Sequence, residues 1–383
     1  MIEARMNRRK LVLLVGVALL AGCKVIPKGP GTTPPPEGGP DSGLPADKAR
    51  HRVALLVPLT GPNSGLGQSI ANATTMAILD TNAQNVRITT YDTSGGAAAA
   101  AARAMDEGNK LILGPMLTED VATVAAVARS ARVPLITYSN DPRVAARDVF
   151  VMGTTQDNSI LRVVEFARSK GINRFAVLAP KGEFGSRAAA TYGEAVRASG
   201  GTLVASDSYD RGNNSVLSAA ARLKAKGGFQ AILIADAPRV AGQAATRLRG
   251  AGAANPRILG IDQWSGDPLA SSTASLRGAW FAALPDARYR QFSTSYQARF
   301  GAAPYRLATL GYDSVLLTVR IAREWRGNTP FPVSRLADTG GFLGLDGPFR
   351  FRPNGLGERS LEVRETRAGG VTIVSPAPEK FVD

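Results

Sequence analysis

From residue 52 onward, short apolar runs alternate with amphipathic stretches of roughly 10–15 residues, the pattern of βαβ units around a parallel sheet. The spacing predicts strands over 52–58, 86–91, 110–114 and 133–138, with helices over 66–80 and 118–132 and an Ala-rich helix after residue 91. The rhythm then restarts. Strands are expected over 174–179, 203–206, 230–235 and 257–261, and helices over 186–199, 215–226 and 239–250. Two successive doubly wound, mainly parallel sheets flanked by helices imply an α/β chain of two lobes with a cleft between them. Ligands of such sheets sit at the carboxyl ends of the strands. The tail differs. A strand over 279–283 and helices over 289–300 and 307–323 precede short runs at 341–351, 361–364 and 371–374, separated by Gly and Pro. These runs predict a small antiparallel element at the edge of one lobe.

Ahead of this body the chain is organised differently. Arg8-Arg9-Lys10 precedes ten apolar residues, 11–20, which rise only about 15 Å as helix against a hydrocarbon core of about 30 Å. A cleaved leader over 1–22 fits better than a membrane span. Leu20-Ala21-Gly22-Cys23 then resembles a bacterial lipobox, which implies diacylation of Cys23 and cleavage before it. Lys24 at the second mature position leans towards retention at the inner leaflet of the outer membrane. Met1 and Met6 are both plausible starts. Residues 23–50 form a tether rich in Pro and Gly, with too little apolar content to fold.

Composition removes most chemistry. The chain of 383 residues has one Cys and one His, so an internal disulfide, a CxxC pair and most zinc sites are excluded. Only His51 remains for a Ser-His-Asp arrangement. Gly65-Leu66-Gly67 follows a strand, but Ile70 stands where a dinucleotide fingerprint needs its third Gly. P-loop, GxSxG and HExxH motifs are absent, and no cofactor, metal or catalytic residue is expected. The net charge of +15 comes from 46 Lys and Arg, 36 of them Arg, scattered without a block. With no RNP or zinc-finger pattern, nucleic acid is not an expected partner, while an anionic headgroup or an acidic partner is compatible.

Several motifs carry a family resemblance. Val57-Pro58-Leu59-Thr60-Gly61-Pro62 with Gly65-Leu66-Gly67, Leu113-Gly114-Pro115 leading to Thr118, Val133-Pro134-Leu135-Ile136, Lys181-Gly182-Glu183-Phe184-Gly185, and Tyr305 with Gly311-Tyr312-Asp313-Ser314 resemble the leucine/isoleucine/valine-binding periplasmic proteins. The resemblance spans roughly residues 52–374. It implies the two-lobed type I periplasmic-binding-protein fold, with a first lobe of 51–153 plus 277–333 and a second of 154–276 plus 334–383. It also implies a cleft for an amino-acid-like solute built from Ser64, Leu66, Thr118, Ser139, Asn140, Phe184, Asp236, Asp262 and Gln263. Thr118 would meet the carboxylate beside a helix N-terminus, where free N–H groups favour anions. Phe184 would close as a lid, and Asp262 would pair with the ammonium. Tyr138-Ser139-Asn140-Asp141 is bulkier and more acidic than the family's usual turn, so Asp141 would repel an anion unless it points away. Gly278-Ala279-Trp280-Phe281 and residues 341–351 resemble the penicillin-binding-protein activators, outer-membrane lipoproteins that stimulate peptidoglycan synthases. Two partners are therefore expected as alternatives, a bifunctional penicillin-binding protein or an ABC permease.

Overall fold

The computed structural model describes residues 50–250 and 255–381. The leader, Cys23 and nearly all of the tether lie outside the described residues. Five parallel strands form the first sheet: β1 (His51–Val57), β2 (Val86–Asp92), β3 (Leu111–Leu113), β4 (Leu135–Thr137) and β5 (Val149–Val151), in the order β2-β1-β3-β4-β5. Helices α1 (Ser64–Thr81), α2 (Ala97–Asp106) and α3 (Thr118–Ser130) connect them. The apolar run of β1 serves both faces. Val53, Leu55 and Val57 enter one core with α1, while Ala54 and Leu56 enter another with α2 and α3. A strand covered on both faces gains nothing from polar alternation, which is why its sequence is continuously apolar.

The second sheet repeats this plan. Helix α4 (Gln156–Ser169) leads into β6 (Arg174–Pro180), α5 (Glu183–Ala198), β7 (Thr202–Tyr209), α6 (Ser215–Lys226), β8 (Ala231–Ile234), α7 (Pro238–Leu248), β9 (Arg257–Gly260) and β10 (Trp280–Ala283). Its parallel part runs β7-β6-β8-β9-β10, the same order as the first. After β10 come α8 (Ala287–Phe300) and α9 (Ala308–Ala322), then β11 (Phe342–Gly344), β12 (Gly347–Phe351), β13 (Gly357–Arg359), β14 (Glu362–Arg367) and β15 (Gly370–Ser375).

The tail corrects the expected lobe boundaries. Residues 280–283, assigned to the first lobe, lie in the second sheet, where β10 is flanked by β9 and antiparallel β14. Residues 342–359, assigned to the second lobe, form a separate three-stranded sheet whose Phe342, Phe349 and Phe351 pack into the first-lobe core against Phe150. The expected single antiparallel element is thus two elements, since β14 and β15 extend the second sheet. Helix α8 places Phe292 and Tyr296 against Ala73 and Met76 of α1. The chain therefore passes between the lobes three times, after β5, after β10 and after β13. Strand β5 was not foreseen, because three residues are too few to show a period.

Residues 48–383 form one compact unit that contains every described core. Among the described residues no helix is long and apolar enough to cross a membrane.

Candidate functional site

In both sheets the strand order reverses beside the first strand of the lobe, β1 or β6, and the crevice at such a switch point is where doubly wound sheets hold ligands. The turns after β1, β3 and β4 meet the N-termini of α1 and α3 there, and the turns after β6, β7, β8 and β9 form the second lobe's side. The turn after β4 is anchored from below, since the buried Tyr138 hydroxyl lies 2.9 Å from Ser314 Oγ on α9.

Thr118 and Ser139 are brought together. Their hydroxyl oxygens are 2.7 Å apart, and Ser139 Oγ also accepts the Asp141 N–H at 3.1 Å. Thr118 is the first residue of α3 and not its cap, a position held by Leu117. Asn140 is exposed. Asp141 is buried and does not stand as a free acid beside the hydroxyl pair. Arg143 holds it through Nη2 at 2.6 Å and Nε at 3.0 Å, and Arg187 of α5 adds Nη1 at 3.5 Å. Arg143 also pairs with Glu183, the first residue of α5. The hydrogen bonds from Arg143 hold the Asp141 carboxyl below its ordinary range, despite burial. Four charged groups therefore tie the turn after β4 to the N-terminus of α5 in the opposite lobe. Sequence reading missed this clasp, because charges on a turn and on a helix some 40 residues apart leave no periodic trace when they pair.

The remaining expected residues divide. Ser64 and Leu66 sit half-buried in the first turn of α1, Leu66 against the first-lobe core. Phe184 packs against the second-lobe core with the Arg211 guanidinium 4.8 Å from its ring centre. Asp236 is buried as a junction. Its carboxylate accepts from Tyr209 Oη at 2.6 Å and Arg211 Nε at 3.0 Å, and its carbonyl accepts the Trp264 indole N–H at 2.8 Å. Asp262 accepts from Ser159 Oγ at 3.2 Å, burial pushes its carboxyl up, and Gln263 beside it is exposed. Asp236 and Asp262 line different cavities. The first, of about 330 Å³, includes Arg211 and Arg239; the second, of about 660 Å³, includes Thr154, Asp286, Tyr289 and Arg306. His51 is not available for catalysis in the crevice. It begins β1 at the opposite end of the strand, stacked 4.0 Å from Trp325.

A second polar cluster went unforeseen. Asp346, in the turn between β11 and β12, is buried and accepts from Arg306 Nη2 at 2.8 Å and Thr309 Oγ1 at 2.6 Å. Arg306 reaches on to Asp286 at 2.7 Å, and Asp286 to Arg364 of β14 at 2.6 Å. Asp313 of α9 is fully buried nearby. Its Oδ1 accepts the Leu345 N–H at 2.7 Å, and its Oδ2 has no partner. Burial, reinforced by the Asp346 charge and opposed by Arg359, pushes the Asp313 carboxyl up to about 7. A carboxyl raised in the folded state stabilises fully below its unfolded value and loses that contribution as pH rises through the folded value. Asp313→Asn is therefore expected to gain on the order of 1–2 kcal/mol relative to wild type between pH 5 and pH 8. Urea unfolding of both proteins at the two pH values checks this, and parallel pH slopes would sink it.

Among the described residues no group of three His, Cys, Asp or Glu side chains could hold a metal ion. The polar groups can bind and bridge, and the lobes present a crevice.

A family comparison agrees with this architecture. Residues 51–370 match the periplasmic binding protein family, and the chain belongs to that family. An uncharacterised protein of Rickettsia prowazekii is 25% identical over 134 residues, a match spanning 34% of this chain and only 36% of that protein, about a third of its length. Among solved structures, a protein described as a branched-chain amino acid ABC transporter from Rhodospirillum rubrum matches with a TM-score of 0.75 at 21% identity, over 85% of this chain and 100% of that one. Full-length LpoA from Haemophilus influenzae matches with a TM-score of 0.68 at 18% identity, over 85% of this chain and 59% of that one. LivJ of Streptococcus pneumoniae, solved with isoleucine, matches with a TM-score of 0.56 at 18% identity, over 85% of this chain and 100% of that one. At these identities the likeness is one of fold.

Proposed function

We propose that the chain is a non-catalytic, membrane-anchored lipoprotein of the periplasm, held through Cys23 at the outer membrane, whose solute-binding fold serves to activate a peptidoglycan synthase by contact. The observation that supports this reading is the clasp at the crevice. The hydroxyls of Thr118 and Ser139, which would receive a solute's carboxylate, are hydrogen-bonded to each other, and Asp141 beside them is neutralised by Arg143 and Arg187. Lobes bridged by their own charges can meet without a solute, which suits a scaffold better than a receptor that must open and deliver. The resemblance of residues 278–281 and 341–351 to the penicillin-binding-protein activators points the same way, and LpoA among the structural neighbours is compatible with it.

The test is binding and activation. The protein is expected to retain a bifunctional penicillin-binding protein in a pull-down and to raise its glycan polymerisation or cross-linking rate. Failure of both overturns the reading. A second reading, an amino-acid receptor for an ABC permease, is favoured by Asp262, a half-buried carboxylate in a cavity where an ammonium could sit. It predicts a thermal shift with free amino acids that Asp262→Ala abolishes.

A further inference from the structure

The two lobes share a strand order but not a charge. At the pole opposite the crevice, each lobe presents the helix C-termini and the connections that enter its strands. In the second lobe these are residues 168–174, 197–202, 224–230, 247–250 with 255–257, and 277–280, which carry ten Lys and Arg and no acid, and the end of β14 that pairs beside Trp280 adds Glu365 and Arg367. The corresponding segments of the first lobe, 50–52, 79–86, 103–111, 129–135 and 145–149, carry seven basic and four acidic residues. Helix C-termini attract cations through their dipoles. That effect acts on both lobes alike, so it does not account for the difference.

The second-lobe cations are gathered and not dispersed. Lys224 Nζ donates to the Arg249 carbonyl at 2.8 Å, Arg249 Nη2 to the Arg277 carbonyl at 2.6 Å, and Arg174 to the Gly228 carbonyl. The main-chain carbonyls hold these side chains in place without neutralising them, whereas Arg257 Nη1 lies 3.8 Å from Glu365 of β14, whose carboxylate also accepts the Trp280 indole N–H at 2.8 Å. Among them lies a cavity of about 350 Å³ lined by Lys170, Ile172, Arg249, Arg257 and Trp280. The Arg257 guanidinium lies 4.3 Å from the Trp280 ring centre, and Arg249 Nε is buried with no hydrogen-bond partner. Glu365 offsets part of the Arg257 charge, but Lys170 and Arg249 meet no carboxylate among the described residues, so the cluster keeps an excess of positive charge for an anion, and an aromatic and aliphatic wall beside it suits the neck of a headgroup.

We propose that this pole docks on an anionic phospholipid surface, with one headgroup phosphate seated between Lys170, Arg249 and Arg257. Multiple Lys and Arg residues within a Debye length of a negatively charged leaflet act together. The choice of a bilayer as occupant rests on the membrane-anchored reading in one respect. The 27 residues that follow Cys23, 24–50, amount to roughly 80 Å at full polyproline extension and keep such a surface within reach.

The test uses residues 48–383, which hold every described core, so neither the anchor nor a synthase enters it. The probes are phosphatidylcholine vesicles with and without about 30% phosphatidylglycerol. Sedimentation is expected to show binding only with phosphatidylglycerol, weakened about tenfold or more between 50 and 300 mM salt. Lys224→Glu/Lys226→Glu/Arg277→Glu, three exposed positions, is expected to abolish binding. Arg103→Glu/Lys110→Glu/Arg147→Glu on the first lobe, with the same net charge, is expected to retain it. Arg249→Gln alone should weaken binding severalfold while the circular dichroism spectrum stays that of wild type. Equal loss in both triple variants, no binding to phosphatidylglycerol, or tighter binding to duplex DNA than to vesicles each overturns the proposal.

Discussion

Gly185→Ala is expected to destabilise the second lobe by about 3 kcal/mol or more, with Gly67→Ala doing the same to the first. The two glycines occupy the same place in the two lobes. Each lies in the first turns of the helix that follows a lobe's first strand, and each faces the carbonyl of the proline that ends or follows that strand. A Cβ at Gly185 would lie 1.7 Å from the Pro180 oxygen, and one at Gly67 would lie 1.8 Å from the Pro58 oxygen. No rotamer relieves such a contact, because both partners are backbone. The helix must move off the sheet, and α5 carries Glu183 and Arg187 of the clasp with it. Thermal unfolding should show a loss of at least about 6 °C for either variant. Hydrogen exchange should show the β6 amides opening first in one variant and the β1 amides in the other. A midpoint within about 2 °C of wild type would refute the close-packing account.

Asp346→Ala is expected to cost about 2–4 kcal/mol, somewhat less than the usual cost of breaking a buried ion pair, because its removal also relieves Asp313. The substitution strips the buried carboxylate from Arg306 and Thr309 and leaves Asp286 as the one carboxylate Arg306 still meets. Asp346→Asn keeps one acceptor oxygen, which can serve Arg306, while its amide NH2 can donate to Thr309 Oγ1, and it should cost roughly half as much. The ladder from Asp346 through Arg306 and Asp286 to Arg364 joins the small sheet of the first lobe to β14 of the second. Loss of stability in the alanine variant should therefore come with greater interlobe mobility, read as a larger radius of gyration by X-ray scattering. Equal stability of the two variants would mean that the charge, and not the acceptor, is what Arg306 needs.

The α/β class was legible because strands buried on both faces and helices with one apolar face leave opposite periodicities. Val53 to Val57 read as strand without ambiguity, and the structure shows why: alternate residues feed two different cores. The lobe assignment was not legible. Whether residues 280–283 join the first or the second sheet depends on pairing with β9 and β14, and the latter lies nearly eighty residues downstream. No local pattern reports such a pairing. The site divides in the same way. Thr118 and Ser139 could be read from their places after β3 and β4. The neutralisation of Asp141 by Arg187 depends on how two lobes face one another, and the raised carboxyl of Asp313 on a turn more than thirty residues away.

The three passages between the lobes bear on the order in which the protein can be made. Neither lobe is a continuous stretch of chain. The first is not whole until residue 359 has been synthesised, and Trp280–Ala283 lacks its outer neighbour until Glu362–Arg367 emerges. A nascent chain halted before residue 360 would hold a nearly finished first lobe beside a second sheet in which the apolar strand β10 stands at an edge, a form exposed to pairing with another chain. Completion of the two lobes is thus coupled in time, and the last strands to arrive cover the apolar β10 and move the edge to the largely exposed β15.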